Sequence, residues 1–256
     1  MKQFILNNEP DGNGRVRLEG GDYRYLARVR RLAPGEYFPA LLPDGAEIMI
    51  RVCSVDNRTL VGEILRSENS RPDSHLPPII LFQSMPKGEK MDLIVRQAAE
   101  GGLTEIVPFV SEFSAVKIEK SGGQKFSRWE RIIKEARQQS GSGTATVIRQ
   151  PLSMDGLFAY WEQIKIQQSG VLGLLFHHLP LAKLSLHGYL DSSPEAVVLT
   201  IGPEGGFSPA EADRFVAAGF KPFTMGDTIL RTETAALYAQ AAVRILLWEK
   251  DSWEMK

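Results

Sequence analysis

The sequence predicts an α/β protein with a mainly parallel sheet, and three observations support this fold class. Beyond residue 78, short apolar runs alternate with segments whose apolar residues recur at helical spacing. The run AVVLTI at 196–201 has the β-branched composition of a strand buried on both faces. Ser208, Pro209 and Glu211 then form the signature of a capped helix start. Such alternation is typical of a parallel sheet covered by helices.

The elements of this part of the chain follow in order from the same patterns. Five helices are expected. The first follows the first strand and ends near Gly101, the second lies around Trp129–Ala136, the third covers 157–167, the fourth begins at Ser208 and the fifth begins at about Thr232. The last of them places Leu237, Ala241, Ile245 and Trp248 on one apolar stripe, which either packs on the sheet or meets a second subunit. Six strands are predicted, namely IILFQ, TEIVPFV, TATVI, GVLGLLF, AVVLTI and KPFTM.

The front of the chain shows strand patterns only. GEYFPALL, AEIMIRVCSV and TLVGEIL are separated by turn signals, and Ile48, Ile50 and Val52 alternate with more polar neighbours, as in a small β-meander or barrel. The polar, proline-containing segment from Arg66 to Pro78 has no apolar period. We therefore expect a β domain over 1–70, a linker over 71–78 and a larger domain over 79–256.

Composition limits the compartment and the partners. The chain has 256 residues, 43% of them hydrophobic, and a net charge of −1. One cysteine excludes an internal disulfide, and no apolar window approaches the roughly 18 residues of a membrane span, which predicts a cytoplasmic protein. Seven bases stand against four acids over residues 1–31, and ten acids against six bases over 191–256. This distribution predicts a basic front and an acidic rear.

Two glycine-containing loops follow the last two predicted strands. Gly202, Gly205 and Gly206 let main-chain groups approach a ligand closely, and Gly226 opens a second loop before a helix capped by Thr232 or Thr234. Loops at the carboxyl ends of parallel strands hold small molecules in many α/β proteins. A tight strand-to-helix turn without a ligand is the alternative. Neither loop matches G-x-G-x-x-G or the phosphate-binding P-loop pattern.

Several motifs resemble one known family. LTIGPEGGFSPAEADRF, MGDTILRTETAALYAQAA, RVRRLAPGE, QSMPKGEKMDLIVRQAAE and EIVPF…SEFSAVK occur in the order seen in the ribosomal RNA small-subunit methyltransferase E family. Those proteins belong to the SPOUT class of RNA methyltransferases, which use S-adenosylmethionine. The resemblance implies a PUA-like front β-barrel domain, a trefoil-knotted α/β domain, a homodimer, and methylation of N3 of one uridine in 16S ribosomal RNA.

The resemblance and the residues of the loops and strand ends together give candidate roles. Arg231 and Glu233 are the catalytic candidates, with locking of the loop as their alternative use. We expect no metal site, since His177 and His178 are adjacent on a strand and would face opposite ways. The expected S-adenosylmethionine contacts are Leu175, Phe176, His177, Ile201, Gly202, Pro203, Gly205, Gly206, Met225, Gly226, Ile229, Leu230, Thr234 and Ala235.

Basic residues mark the expected RNA contacts, and some positions depart from the family pattern. Arg24, Arg28, Arg30, Arg31 and Lys87 are the RNA-binding candidates. A second basic cluster, at 117–137, is explained equally well by phosphate binding or by a solvated helix face. Departures from the family occur at Gln138, Ser142, Asp227, Thr228 and His178. They leave open an RNA methyltransferase with another target, or a catalytically silent RNA-binding assembly factor.

Overall fold

The computed structural model describes residues 4–6, 10–42, 45–66, 76–114, 123–177 and 184–250. The chain forms two compact units, one of Met1–Asp73 with Arg137–Ala145, the other of Ser74–Ala136 with Thr146–Lys256. Most of the expected linker, together with His178, lies outside the described residues. Within these ranges no helix is both long and apolar enough to cross a membrane.

The first unit contains a five-stranded sheet with the order β1-β3-β4-β5-β2. All its neighbouring strands are antiparallel except β1 and β3, which pair in parallel. Ile48, Ile50 and Val52 are buried as their alternation predicts, and the three strands predicted here are present. The strands are β1 (Phe4–Ile5), β2 (Arg15–Glu19), β3 (Tyr37–Leu41), β4 (Glu47–Val55) and β5 (Thr59–Arg66).

A helical segment that the sequence did not predict follows β2. It begins as a short helix α1 (Gly20–Tyr23) and continues as a π-helical stretch over Arg24–Val29. Leu26 is fully buried among the strands, and the hydroxyl of Tyr23 donates to the carbonyl of Asp56 at 2.7 Å. These two contacts fix the arginine-bearing segment to the sheet of the same unit.

The second unit contains the predicted parallel sheet, with the order β12-β10-β11-β6-β7-β8 and with β9 also paired to β7. Every pairing in it is parallel. Two strands are shorter than predicted. The strand predicted over KPFTM ends at Phe223, and the strand predicted over TATVI begins only at Val147. The strands are β6 (Ile79–Ser84), β7 (Glu105–Val110), β8 (Val147–Ile148), β9 (Leu152–Ser153), β10 (Val171–Phe176), β11 (Ala196–Ile201) and β12 (Lys221–Phe223).

Helices cover both faces of this sheet, as the alternation predicts. One core lies between the sheet and α2, α3, α5 and α7, and a second, richer in phenylalanine, lies between the sheet and α4 and α6. The five predicted helices are present, whereas α5 and the two-residue β9 were not predicted. The helices are α2 (Lys90–Glu100), α3 (Gly123–Ser140), α4 (Met154–Gln167), α5 (Leu186–Leu190), α6 (Pro209–Ala217) and α7 (Thr232–Trp248).

Candidate functional site

A cavity of about 290 Å³ lies at the carboxyl ends of three adjacent strands of the second unit. Because β12, β10 and β11 are neighbours and parallel, the loops that follow them meet at one edge of the sheet. The lining residues are Phe176, His177, Ile201, Gly202, Pro203, Glu204, Gly205, Gly206, Phe207, Thr224, Met225, Gly226, Thr228, Ile229, Leu230, Thr232 and Ala235. The two glycine loops and the end of β10 thus form the walls of one cavity.

The loop after β11 has little room for side chains. A β-carbon on Gly202 would lie 3.3 Å from the backbone of Gly206 and from the ring of Phe207. Gly206 has a φ of +71°, and Gly226 in the neighbouring loop has a φ of +91°. Both conformations favour glycine. The walls therefore present backbone groups to whatever occupies the cavity.

Thr232 joins the loop after β11 to the start of α7. Its hydroxyl donates to the carbonyl of Gly202 at 2.7 Å and accepts a hydrogen bond from Nε2 of Gln83 at 3.0 Å. Thr232 and Gln83 are both buried. Three segments that are distant in sequence are in this way held together beneath the cavity.

Glu211 connects the same loop to the turn after β7. Its carboxylate completes the predicted capping box, with Oε2 accepting from the amide of Ser208 at 3.0 Å. Its other oxygen accepts from the amide of Glu112 at 2.8 Å. The carboxylate is buried and both of its oxygens are used, so this residue fixes the turn relative to the cavity wall.

An ion pair lies at the rim of the cavity. Nζ of Lys90 lies 2.6 Å from Oε1 of Glu204 and 3.7 Å from Oε2 of Glu233. Oε1 of Glu204 also accepts a hydrogen bond from the amide of Lys87 at 3.1 Å. The hydrogen bond to Glu204 raises the pKa of Lys90. Burial would raise the pKa of Glu204, but the bonds from Lys90 and the backbone outweigh it and lower that pKa. Both groups are therefore charged at neutral pH, and the pair ties α2 to the cavity loop.

Twelve of the fourteen residues expected to contact a cofactor line this cavity: Phe176, His177, Ile201, Gly202, Pro203, Gly205, Gly206, Met225, Gly226, Ile229, Leu230 and Ala235. Leu175 and Thr234 do not. Adjacent residues of a strand face opposite sides of a sheet, so Phe176 borders the cavity while Leu175 is buried in the core under α4 and α6. Thr234 lies in the first turn of α7, and Thr232, two residues earlier, is the one that lines the cavity.

Sequence reasoning missed five lining residues: Glu204, Phe207, Thr224, Thr228 and Thr232. Glu204 and Phe207 lie inside the motif that predicted the loop, so a signal for them existed. Thr228 is one of the departures from the family pattern, and its neighbour Asp227 is exposed.

The expected catalytic pair lies beside the cavity but does not line it. Arg231 is exposed and precedes the first turn of α7, where its carbonyl accepts from the amide of Ala235 at 2.7 Å. Glu233 is only 14% exposed and faces Lys90. Among the described residues, Glu233 therefore forms its ion pair with Lys90 on α2.

The expected RNA-binding residues lie on both units. Arg24, Arg28 and Arg31 are exposed on the first unit, and Lys87 is exposed just before α2 on the second. Arg28 and Arg30 each lie near an aromatic ring, at 5.9 Å from the ring centre of Tyr23 and 6.0 Å from that of Phe38. Arg30 differs in that its Nη1 is buried. A guanidinium held this way is less available to phosphate than its neighbours. Among the described residues, no three or more His, Cys, Asp or Glu side chains are clustered so that they could hold a metal ion.

The sequence of this chain is similar to one family model and to proteins named as methyltransferases. A family model described as an RNA methyltransferase domain matches residues 73–244. A ribosomal RNA small subunit methyltransferase E from Synechocystis is 32% identical over 234 residues, covering 91% of this chain and 73% of the relative. A protein of the same name from Aquifex aeolicus is 31% identical over 223 residues, covering 86% and 90%.

The fold is similar to that of a solved protein with a ligand. The crystal structure of a ribosomal RNA small subunit methyltransferase E from Neisseria gonorrhoeae, bound to S-adenosyl methionine, superposes with a TM-score of 0.80. The two proteins are 28% identical, and the match covers 96% of this chain and 98% of the other.

Proposed function

Because this chain belongs to the ribosomal RNA small subunit methyltransferase E family, we propose that it methylates N3 of one uridine in 16S ribosomal RNA with S-adenosylmethionine as methyl donor. The observation that carries the proposal is the cavity walled by the two glycine loops and the end of β10. It combines main-chain groups with apolar cover in the way that a nucleoside ligand requires.

The lining fits this cofactor chemically. Ile201, Met225 and Leu230 offer apolar surface for an adenine ring, and the glycine loops offer amides and carbonyls to its polar edge. When bound, S-adenosylmethionine supplies an electrophilic methyl group. We place Leu175 behind this wall and assign Thr234 no direct contact.

Methylation at N3 of uracil requires loss of the N3 proton, since the neutral N3–H has no free lone pair; no side chain is assigned as its acceptor, so the proton passes to solvent water as N3 takes the methyl group from the sulfonium. Donors to O2 and O4 of the base stabilise the resulting anion. We assign this role to Arg231, whose side chain is exposed beside the cavity and carries a planar set of N–H donors. Glu233 acts through its contact with Lys90, which holds the wall that carries Glu204.

The domain organisation belongs to the same proposal. We assign residues 1–70 to a PUA-like RNA-binding barrel, 71–78 to a linker and 79–256 to a SPOUT methyltransferase domain with a trefoil knot. The parallel sheet and the meeting of three loops at one sheet edge support the second domain. The mixed sheet and the exposed Arg24, Arg28 and Arg31 support the first. We place the enzyme in the cytoplasm, where ribosomal subunits assemble.

Nucleosides from 16S ribosomal RNA of a deletion strain, analysed by mass spectrometry, test this function. We expect one N3-methyluridine to disappear and to return when the gene is restored. Loss of a different mark would show another RNA target, the first alternative that the departures at Gln138, Ser142, Asp227 and Thr228 leave open. An unchanged set of marks would favour a catalytically silent assembly factor.

A homodimer is also part of the proposal, and the outer face of α7 supports it. The stripe predicted from sequence is exposed, with Ile245 at 54% and Trp248 at 71%, whereas Ala239 and Val243 on the opposite face are buried. A continuous apolar stripe of this kind is rarely left to solvent. It is therefore the surface that we assign to the subunit contact.

We expect light scattering to give twice the chain mass of 28.5 kDa at micromolar concentration. Ile245→Asp should shift the protein to the monomer, because a buried unpaired carboxylate would oppose the contact. Ile166→Asp is the matched control, as Ile166 is 83% exposed on α4 and outside the stripe. A wild-type protein that stays at 28.5 kDa would contradict the dimer.

A further inference from the structure

An exposed aromatic side chain lies beside the cavity wall. Phe113 follows β7 and is 49% exposed. A β-carbon built on Gly205 would lie 2.9 Å from Cβ and 3.4 Å from Cγ of Phe113, so the side chain packs on the backbone of Gly205. Gly205 lines the cavity and Phe113 does not. The phenylalanine is therefore displayed to solvent just outside the wall.

The turn that carries Phe113 is fixed on both sides. The amide of Glu112 donates to Glu211 at 2.8 Å, and the amide of Ser111 donates to the hydroxyl of Ser114 at 2.9 Å. The hydroxyl of Ser84, at the end of β6, lies 2.7 Å from that of Ser111 and 2.8 Å from that of Ser114. Phe113 thus stands on a rigid turn, which lowers the entropy cost of binding against it.

We propose that Phe113 is a stacking platform for an unpaired base of the substrate RNA at the mouth of the cavity. Enzymes that modify a base act on it outside the helical stack, and proteins hold such bases on aromatic side chains. Lys87 is exposed and its amide donates to Glu204 of the same wall, so its long side chain begins beside the cavity and is the cation that we assign to the adjoining phosphate. This inference rests on the proposed function, which assigned Phe113 no role.

The test compares two substitutions of Phe113 on two probes. Phe113→Leu keeps an apolar side chain but removes the aromatic face, and Phe113→Tyr keeps that face. The probes are a short single-stranded oligouridylate and an abasic ribose-phosphate oligomer of the same length. We expect Phe113→Leu to weaken oligouridylate binding by about tenfold and to leave binding of the abasic oligomer unchanged.

Further measurements separate stacking from damage to the cavity. Phe113→Tyr should bind oligouridylate as the wild type does, and so should the control Ile166→Ala on α4. Calorimetry should show the same affinity for S-adenosylmethionine in Phe113→Leu and in the wild type. With small ribosomal subunits from the deletion strain as substrate, Phe113→Leu should raise KM about tenfold with a smaller change in kcat.

Four results would overturn the inference. Oligouridylate binding that is unchanged in Phe113→Leu would remove the stacking contact. An equal loss on the abasic oligomer, or a parallel loss of cofactor affinity, would show that the leucine disturbs the wall. Weakened binding confined to assembled subunits would assign Phe113 to a protein partner. A different outcome would separate this inference from the proposed function. If the wild-type protein binds oligouridylate more tightly than the abasic oligomer but transfers no methyl group, the proposed function is refuted and the stacking contact of Phe113 is not.

Discussion

Gly205→Val is expected to weaken binding of S-adenosylmethionine by about tenfold or more, because a displaced loop loses main-chain hydrogen bonds to the cofactor, each worth about 0.5–1.5 kcal/mol, and each tenfold is about 1.4 kcal/mol. The first added carbon would already stand 2.9 Å from Cβ of Phe113, closer than side chains normally approach. The branched side chain adds two more methyl groups. The loop must move, and the backbone groups that it presents to the cavity move with it.

Calorimetry on the wild type and the variant measures this effect without RNA, since all three walls belong to one unit. Gly123→Val is the control, because Gly123 is exposed and a β-carbon there would meet nothing within 4 Å. Circular dichroism on both variants would show whether each remains folded. Unchanged affinity in folded Gly205→Val would refute the assignment of this cavity to the cofactor.

The elements of the second unit were largely readable from sequence because their signals are local. The capping box of Ser208 and Glu211 lies within four residues, and the buried strand before it is a continuous apolar run. Glycine at 202, 205 and 206 indicated a close backbone approach without revealing its cause. That cause is the packing of Gly202 on Phe207 and of Gly205 on Phe113.

What the sequence did not predict depends on contacts between distant residues. Gln83 and Thr232 are 149 positions apart, and Glu112 and Glu211 are 99 apart, so no periodic pattern links them. The π-helical stretch at Arg24–Val29 has no local signature and is held by the burial of Leu26 in the first unit. Leu175 is a different case, because strand alternation places Leu175 and Phe176 on opposite faces of the sheet, so only one of the two can border the cavity.

The arrangement of arginines in the first unit leads to the other large expected effect. Changing Arg24, Arg28 and Arg31 together to glutamine should reduce the slope of log affinity against log salt by about two, at roughly 0.7 to 0.9 for each phosphate contact removed. All three side chains are exposed and can reach phosphates. Arg30 is left unchanged, because its Nη1 is buried, which makes loss of stability the expected result of replacing it.

Binding of 16S ribosomal RNA, measured from low to physiological salt, gives this slope. The variant should bind more weakly at low salt and should lose less affinity as salt rises, because fewer counterions are released on binding.

Its affinity for S-adenosylmethionine should stay that of the wild type, since the cavity lies in the other unit. Arg17→Gln is the control, as Arg17 lies in the same unit and is already paired with Glu19 at 2.6 Å. Phosphate contacts position RNA without choosing a base, so the site that is methylated should not change. An unchanged slope in the triple variant would show that these arginines do not hold the RNA.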